Sequence, residues 1–328
     1  MENWDSKYGK LPVVSIKCLT YNHENYIKDA IDSFLCQKTT FPFEIVVHDD
    51  ASTDATAKII IQYQKEYPQI INAVIEKENQ YSKGGDVLEK IVNSNLRGRY
   101  IAICEGDDYW TDDNKMQYQF EMMERNPNID ICAHCVRKIN ANTGRVLGYI
   151  APRNHDMVIP IESVIEGGGG FVGTNSLFYR KRILENIPAF RKVLPIDYSL
   201  QVHGAMRGGM LYLRKCMSDY RFMVQNSWSA NYDNEDVVNK MDIRWKKMTV
   251  QLDLDTDGKY HQIIERYMNL REIDKLLRFK HYDEIKMYRS YIFKLDGKRK
   301  YIYLIKILFP KLYCILKSFR DKIRGWHE

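Results

Sequence analysis

A chain of 328 residues with 45% apolar and 28% charged content is long enough for one large globular domain or two smaller ones, and this composition excludes disorder as its default state. The formal charge of +6 is uneven, because residues 294–324 hold ten Lys or Arg against two Asp, a local +8 that leaves the remainder at about −2. A basic surface confined to the tail argues against a nucleic-acid-binding core. The amino terminus, MENWDSKYGK, is polar and lacks the apolar core of a secretory signal. Seven cysteines, scattered singly apart from Cys132 and Cys135, fit free thiols in a reducing compartment, so a cytoplasmic location is expected.

Residues 13–19, VVSIKCL, read as a first strand, and the polar turn TYNHEN leads into IKDAIDSFLCQ, where Ile27, Ile31, Phe34 and Leu35 fall at helical spacing. A second apolar strand, Glu44 to His48, ends at Asp49 and Asp50. The segment ASTDATAKIIIQYQKEY then begins a helix, with Ser52 as its cap and Asp54 near its start. Residues 70–76 read as a third strand, 84–96 as a helix and Tyr100 to Cys104 as a fourth strand. This alternation predicts an α/β fold, a mostly parallel sheet covered by helices on both faces. Parallel strands present their carboxyl ends to one crevice, so the two acidic strand ends are expected on the same edge.

The fourth strand ends abruptly in Glu105, Asp107 and Asp108, set around Gly106. Three acids so close together repel one another unless protons, basic side chains or a cation compensate them, and an all-oxygen set suits a hard ion such as Mg2+ or Mn2+. A dinucleotide fold is a competitor, but the first turn has no glycine where a GxGxxG loop needs close backbone approach, and no GxxxxGK[ST] loop is present. Without a glycine cradle, a bound diphosphate needs a cation.

Further on, IDICAHCV at 129–136 reads as another strand. Cys132, His134 and Cys135 invite a zinc site, yet a structural zinc needs four ligands and no second pair accompanies them. The segment EGGGGFVGT at 166–174 is a flexible loop by composition, a plain connector or a loop that adapts to substrate. NSLFYRKRIL follows as a strand running into a helix. Asp197 then stands just before an apolar helical run, where a carboxylate serves as a helix cap or takes a proton from a hydroxyl. DLDTDG at Asp253 to Gly258 opens like a calcium loop, but Ile264 occupies its twelfth position in place of a bidentate Glu. In the tail, Ile305, Phe309, Leu312, Leu316, Phe319 and Ile323 form one apolar stripe, with Lys306, Lys317, Lys322 and Arg324 on the remaining face. Such a helix lies on an anionic bilayer surface or folds onto its own domain.

The series VSIKCLTYNHENYIKDAIDSFLCQ, FEIVVHDDASTDAT, ENQ and GRYIAICEGDDYWTDDNKMQYQ resembles the family 2 glycosyltransferases, which have the GT-A fold, invert the anomeric centre and include enzymes of bacterial cell-surface glycans. The match runs over about residues 11–130, and residues 170–230 resemble the family's second half more loosely. The resemblance implies a transferase domain over 1–232, with a nucleotide half at about 11–130 and an acceptor half at about 131–232, and a helical extension over 233–328. It implies a nucleoside-diphosphate-sugar site in which Thr20, Tyr21, Asn22 and Glu24 help hold the nucleotide and Asp50 accepts from the base, as in members that use UDP-sugars. Asp107 would be the metal carboxylate for Mn2+ or Mg2+, with Glu105 in place of the family's first Asp and Asp108 beside it. Many members carry an Arg-Asn pair where this chain has KGGDVLEK, and Lys83 stands there instead. Asp197 corresponds to the catalytic base, and Arg221, in SDYRF, to an arginine that pairs with diphosphate. The acceptor implied is a hydroxyl of a glycan or of a lipid-linked glycan. A scaffold that keeps the fold and binds nucleotide or glycan without turnover is the alternative.

Overall fold

A computed structural model describes residues 4–9, 11–222, 224, 234–293, 297–313 and 315–316. The amino-terminal half alternates as expected: β1 (Val14–Thr20), α1 (Ile27–Leu35), β2 (Phe43–Asp49), α2 (Thr56–Glu66), β3 (Ile71–Ile75), α3 (Gly85–Ser94), β4 (Tyr100–Ile103), β5 (Tyr109–Trp110) and α4 (Lys115–Arg125). Next come β6 (Ile131–Asn140), β7 (Val146–Ile150), β8 (Met157–Ile159), α5 (Ile161–Gly167), β9 (Phe178–Arg180), α6 (Ala189–Val193), α7 (Asp197–Ala205) and β10 (Met210–Phe222). Helices α8 (Glu235–Asp255), α9 (His261–Arg278), α10 (Tyr282–Ile285), α11 (Arg289–Phe293) and α12 (Gly297–Leu308) follow.

The strands form one sheet in the order β3-β2-β1-β4-β9-β6-β10-β5, with β7 paired to β6 and β8 to β10. Strands β1 to β4 run parallel, and so do β6 and β10; the short β9 joins the two blocks in antiparallel register. Every residue of β2 is buried, as a central strand covered on both faces requires. Helix α1 buries Ile27, Ala30, Ile31 and Phe34, the i, i+3, i+4, i+7 stripe that its sequence spells. Alternation along β1 and β4 divides the core into two clusters: Val14, Ile16, Cys18, Tyr100 and Ala102 face α1 and α4, while Ile101 and Ile103 face the other cluster.

That second cluster is shared with the helical extension. Trp245, Met248 and Leu252 of α8 and Ile264 and Tyr267 of α9 join it, and the Tyr198 ring stacks on Trp245 with centroids 5.2 Å apart. A third cluster, built on Ile273, Ile285, Ile292, Tyr303 and Ile307, belongs to the carboxyl-terminal helices alone.

Two local expectations change. Ser52 does not cap α2: its hydroxyl donates to Asp49 and accepts from the Asn22 amide, and Asp54 instead accepts from the Thr56 amide at 2.9 Å at the helix start. Lys306 is not on the outer face of the tail helix, because it turns inward to Asp274 at 2.6 Å and lies over the Tyr303 ring. The apolar stripe does face outward where it is described, with Ile305, Phe309, Leu312 and Leu316 all exposed. Phe319, Ile323, Lys317, Lys322 and Arg324 lie outside the described residues. Among the described residues no helix is long and apolar enough to cross a membrane.

Candidate functional site

The carboxyl ends of β1, β2 and β4 meet at one edge of the sheet. Thr20 pairs with Asp49 in the β1–β2 ladder, the Asp50 amide donates to the Thr20 carbonyl at 3.0 Å, and the Gly106 amide donates to the Leu19 carbonyl at 2.9 Å. Both acidic strand ends therefore flank the end of β1. Glycine is required at 106, since a Cβ there would stand 2.7 Å from Thr20 Oγ1.

The turn after β1 is tied to the turn after β2. Asn22, with φ of 56°, donates its amide to Ser52 Oγ at 2.8 Å, and its Oδ1 accepts from the Thr53 amide at 2.8 Å. Glu24 repeats the pattern one step on, donating its amide to Asp54 and accepting the Ala55 amide at 2.8 Å. Tyr21 is exposed beside them. Asp50 is buried, and its two carboxylate oxygens accept the amides of Gln80 at 2.6 Å and Tyr81 at 3.1 Å. Lys83 is drawn to the surface by Glu78, at 2.8 Å.

Around Gly106 the three acids bring oxygen atoms within 4.8 Å of one another. Asp108 points inward, accepting the Arg221 amide at 2.8 Å and Asn175 Nδ2 at 3.0 Å. Burial, and then the charge of Asp107, push its carboxyl well above the usual range. Asp107 differs: among the described residues nothing donates a hydrogen bond to its carboxylate, and His23 Nε2 stands 3.9 Å away. Burial holds the His23 imidazole below its ordinary value, against the pull of Asp107. Glu105 is pushed up to about 8 by burial, then by Asp107 and Asp197, with Lys17 opposing. Carboxylates this crowded, all oxygen donors and two of them, Glu105 and Asp107, accepting no hydrogen bond among the described residues, fit a hard divalent cation.

Arg221 closes the turn from β10. Its Nη1 donates to the Asp107 carbonyl at 3.0 Å, its Nη2 pairs with Asp29, and its guanidinium lies over Tyr109 at 4.4 Å. Asp197 is the first residue of α7. Its Oδ2 accepts the Thr174 hydroxyl at 2.8 Å and its Oδ1 the Tyr198 amide at 2.8 Å. Burial raises its carboxyl, while those two hydrogen bonds favour the ionised form. Thr174, which holds Asp197, is followed by Asn175, which holds Asp108, so adjacent residues tie Asp197 to the acidic turn.

The fold thus gathers Thr20, Asp50, Glu105, Asp107, Asp108, Asp197 and Arg221, uses Asn22 and Glu24 as braces, and leaves Lys83 outside. Sequence reading missed three neighbours. His23 lay within the TYNHEN turn with no partner to mark it. Asn175 is fully buried and bridges Asp108, the Asp219 carbonyl and the Ser218 hydroxyl, and only its place after the glycine run hinted at it. Lys17 lies on the face of β1 opposite Ile16 and Cys18, buried near Glu89, Arg191 and Glu105, and burial lowers its amine.

Residues 15–188 match the sequence model of glycosyl transferase family 2. An uncharacterized protein of Mycobacterium tuberculosis is 37% identical over 220 residues, 67% of this chain and 61% of its own length. The chain spans about 61% of the length of these mycobacterial relatives. A putative teichuronic acid biosynthesis glycosyltransferase of Bacillus subtilis, TuaG, is 36% identical over 126 residues, 38% of this chain and 45% of its own. In fold, the chain is similar to S. aureus TarS 1-349 in complex with UDP-GlcNAc, with a TM-score of 0.59 at 16% identity over 90% of this chain and 79% of that one. It is also similar to the mannosyltransferase PcManGT from Pyrobaculum calidifontis in complex with GDP-Man and Mn2+, with a TM-score of 0.57 at 16% identity over 96% and 85%.

Proposed function

Because this chain belongs to glycosyl transferase family 2, we propose that it is an inverting, metal-dependent transferase that moves a sugar from a UDP-sugar to a hydroxyl of a glycan or lipid-linked acceptor in cell-surface polysaccharide synthesis. The observation that carries the reading is the acidic turn packed against the end of β1, with the Asp107 carboxylate accepting no hydrogen bond among the described residues and its carbonyl held by Arg221. Nucleotide sugars in the complexes of TarS and PcManGT, and the teichuronic acid role in the name of TuaG, support the donor class and the setting.

In this reading residues 1–232 form the transferase domain and 233–328 a helical extension. Thr20, Tyr21 and Asn22 hold the nucleotide, with Glu24 fixing their turn, and Asp50 faces the base. A Mn2+ or Mg2+ ion on Asp107 and Glu105, when bound, offsets negative charge on the departing diphosphate. Asp108 keeps the turn in shape, and the Arg221 guanidinium adds a fixed positive charge beside the same oxygens. Lys83 stays with Glu78 unless a donor draws it in. Asp197 accepts the proton of the acceptor hydroxyl as its oxygen attacks the anomeric carbon from the face opposite the leaving group, which inverts that centre. A carboxylate raised by burial is the stronger base, and Thr174 keeps it oriented. The exposed apolar stripe of the tail, in its basic surroundings, rests on the cytoplasmic face of an anionic membrane, which brings a lipid-linked acceptor near the crevice.

The test is calorimetric titration of UDP, GDP, CDP and dTDP into the purified chain, with and without Mn2+. Metal-dependent binding of UDP alone is the expected result. Binding of no nucleotide in either condition would favour a scaffold over a transferase.

A further inference from the structure

A cleft of about 730 Å3 opens between the end of β7, the glycine segment after α5, and helices α8, α9 and α12. No residue of the acidic turn lines it, and neither does Asp197. Its size is that of small-molecule sites, ~300–1,000 Å3. We propose that this cleft is a second ligand site and takes a phosphorylated sugar, with the phosphate group held by Arg153 and the glycine segment and the sugar ring against the aromatic wall. Such a site stands whether or not the chain turns over a nucleotide sugar.

Charge favours an anion. Arg153, Arg271, Lys275 and Arg278 line the cleft against Glu166, Asp242 and Asp274, a surplus of one positive charge. Each of these carboxylates is engaged: Asp242 by Arg271 at 2.7 Å and Lys275 at 3.1 Å, Glu166 by Arg266 at 2.5 Å, and Asp274 by Lys306 at 2.6 Å and the Tyr303 hydroxyl at 2.8 Å. Arg266 and Lys306 come from outside the lining and add two positive charges, against one negative charge on Glu272, which pairs with Lys275 at 2.8 Å. The wall thus carries a positive field, and its carboxylates are already compensated.

The donors for a phosphate are in place. Arg153 has no carboxylate partner among the described residues. Its Nη1 donates to the Pro152 carbonyl at 2.9 Å and its Nη2 to the Ser163 hydroxyl at 3.2 Å, and the rest of the guanidinium fork donates to nothing among the described residues. Ser163 belongs to α5, the helix that runs into the glycines. The amides of Gly168, Gly169 and Gly170 likewise donate no hydrogen bond among the described residues, although Gly168 is buried. Successive backbone N–H groups in a turn make a concavity that binds phosphate, and a guanidinium matches phosphate oxygens in shape as well as charge. Phe171 follows the glycines directly and its ring centre lies 5.9 Å from the Arg153 guanidinium, so amides, ring and guanidinium share one wall.

A phosphate group alone fills a small part of this space. Tyr149, 62% exposed, Phe171, Tyr267 and Tyr303 line it as well. A pyranose packs its C–H face on such rings and turns its hydroxyls to polar groups.

The experiment is saturation-transfer NMR on the full chain in metal-free buffer, where the acidic turn has no cation to attract phosphate, with glucose 1-phosphate, glucose and glucuronate. We expect transfer to glucose 1-phosphate at a level the other two do not reach, and at least tenfold weaker binding in Arg153→Gln. Gly170 lies in the wall at no strained φ and a Cβ there meets nothing within 4 Å, so Gly170→Trp has room for its added bulk and should weaken binding by a similar factor. Both variants should keep the Tm of the unaltered chain, and Arg153→Lys, with the charge but not the fork, should recover part of the loss. A sugar phosphate is either free or the headgroup of a lipid, so co-sedimentation with phosphatidylcholine vesicles carrying a polyprenyl phosphoglucose is measured beside it. Vesicle binding lost in both variants assigns the lipid-borne form; vesicle binding kept by variants that have lost glucose 1-phosphate assigns the free form. The proposal is overturned if neither form binds the unaltered chain, if glucose or glucuronate binds as well as the ester, or if either variant retains its affinity for both glucose 1-phosphate and the vesicles.

Discussion

Arg221 and Asp107, more than a hundred residues apart in the chain, are joined by a hydrogen bond of 3.0 Å from the guanidinium to the backbone carbonyl, while the amide of the same arginine holds Asp108. The acidic turn is thus tied through the Asp107 carbonyl and the Asp108 side chain, and among the described residues nothing donates a hydrogen bond to the Asp107 carboxylate. Replacing Arg221 by Ala removes the guanidinium contacts but keeps the amide bond to Asp108. A hydrogen bond from a charged group contributes about 1.5–3 kcal/mol, so UDP affinity in the presence of Mn2+ should fall roughly tenfold or more in Arg221→Ala. Lysine restores charge without the two-pronged geometry and should recover only part of the loss. Calorimetric titration of the two variants reads this directly.

Asp107 and Asp197 should separate binding from chemistry. Alanine at Asp107 is expected to abolish metal-dependent donor turnover and the Mn2+ enhancement of UDP binding. Alanine at Asp197 should leave UDP affinity within about twofold and lower kcat by roughly 10²-fold or more, the usual scale for a general base. Loss of donor binding in Asp197→Ala would show that the two roles are assigned wrongly.

Glu105 makes the metal-free protein sensitive to pH. Its carboxyl is raised from 4.5 to about 8, so the folded state favours the protonated form. That contribution is complete below the unfolded value and is lost as pH rises through about 8. The Tm of metal-free protein should fall between pH 6 and 9 by about 3 °C or more, a shift expected of about 1 kcal/mol in a chain of this size. Glu105→Gln should flatten that fall, and Mn2+ should restore Tm at the alkaline end by binding the folded state. Scanning fluorimetry across the pH range, with EDTA or Mn2+, tests all three arms.

The braces between the first two turns should matter for stability more than for chemistry. Glu24→Ala removes the acceptor of the Ala55 amide and is expected to cost about 1 kcal/mol. Asn22 adopts φ of 56°, so Asn22→Gly should be tolerated and Asn22→Val should destabilise further. Urea unfolding curves of the three variants supply the ranking.

The membrane reading of the tail is tested by substitution in place of truncation. Removing residues after 299 would strip Tyr303 and Ile307 from the third core cluster, whereas Ile305 and Phe309 are exposed and are not among the described residues that form it. Ile305→Glu with Phe309→Glu should preserve Tm and reduce co-sedimentation with vesicles containing phosphatidylserine several-fold. Unchanged sedimentation would remove the membrane from the proposal.

Much of the nucleotide half was legible because its information is local. The runs VVSIKCL, EIVVH and YIAIC are each short and apolar, the helices between them carry a 3.6-residue stripe, and alternation alone puts the strands in parallel with their acidic ends together. Gly106 stood in the sequence among the three acids, and the structure supplies the close contact with Thr20 that demands a glycine there. Side-chain partners were a different matter. Ser52 has the composition of a helix cap, but Asp49 and Asn22 claim it. Lys306 reads as an outward-facing base from helical spacing, until Asp274, on a different helix, draws it inward.

By itself the sequence determined the order of elements, the acidic strand ends and their common edge, because period and turn chemistry act over a few residues. Only the tertiary structure decided that Asn175 and Arg221 from the second half of the chain would secure Asp108. It alone set Thr174 against Asp197, and it alone made α8 and α9 share the core of the domain before them. Those contacts join residues distant in sequence, and which distant groups meet is fixed by how sheet and helices pack and bury charge together, a choice no local pattern encodes.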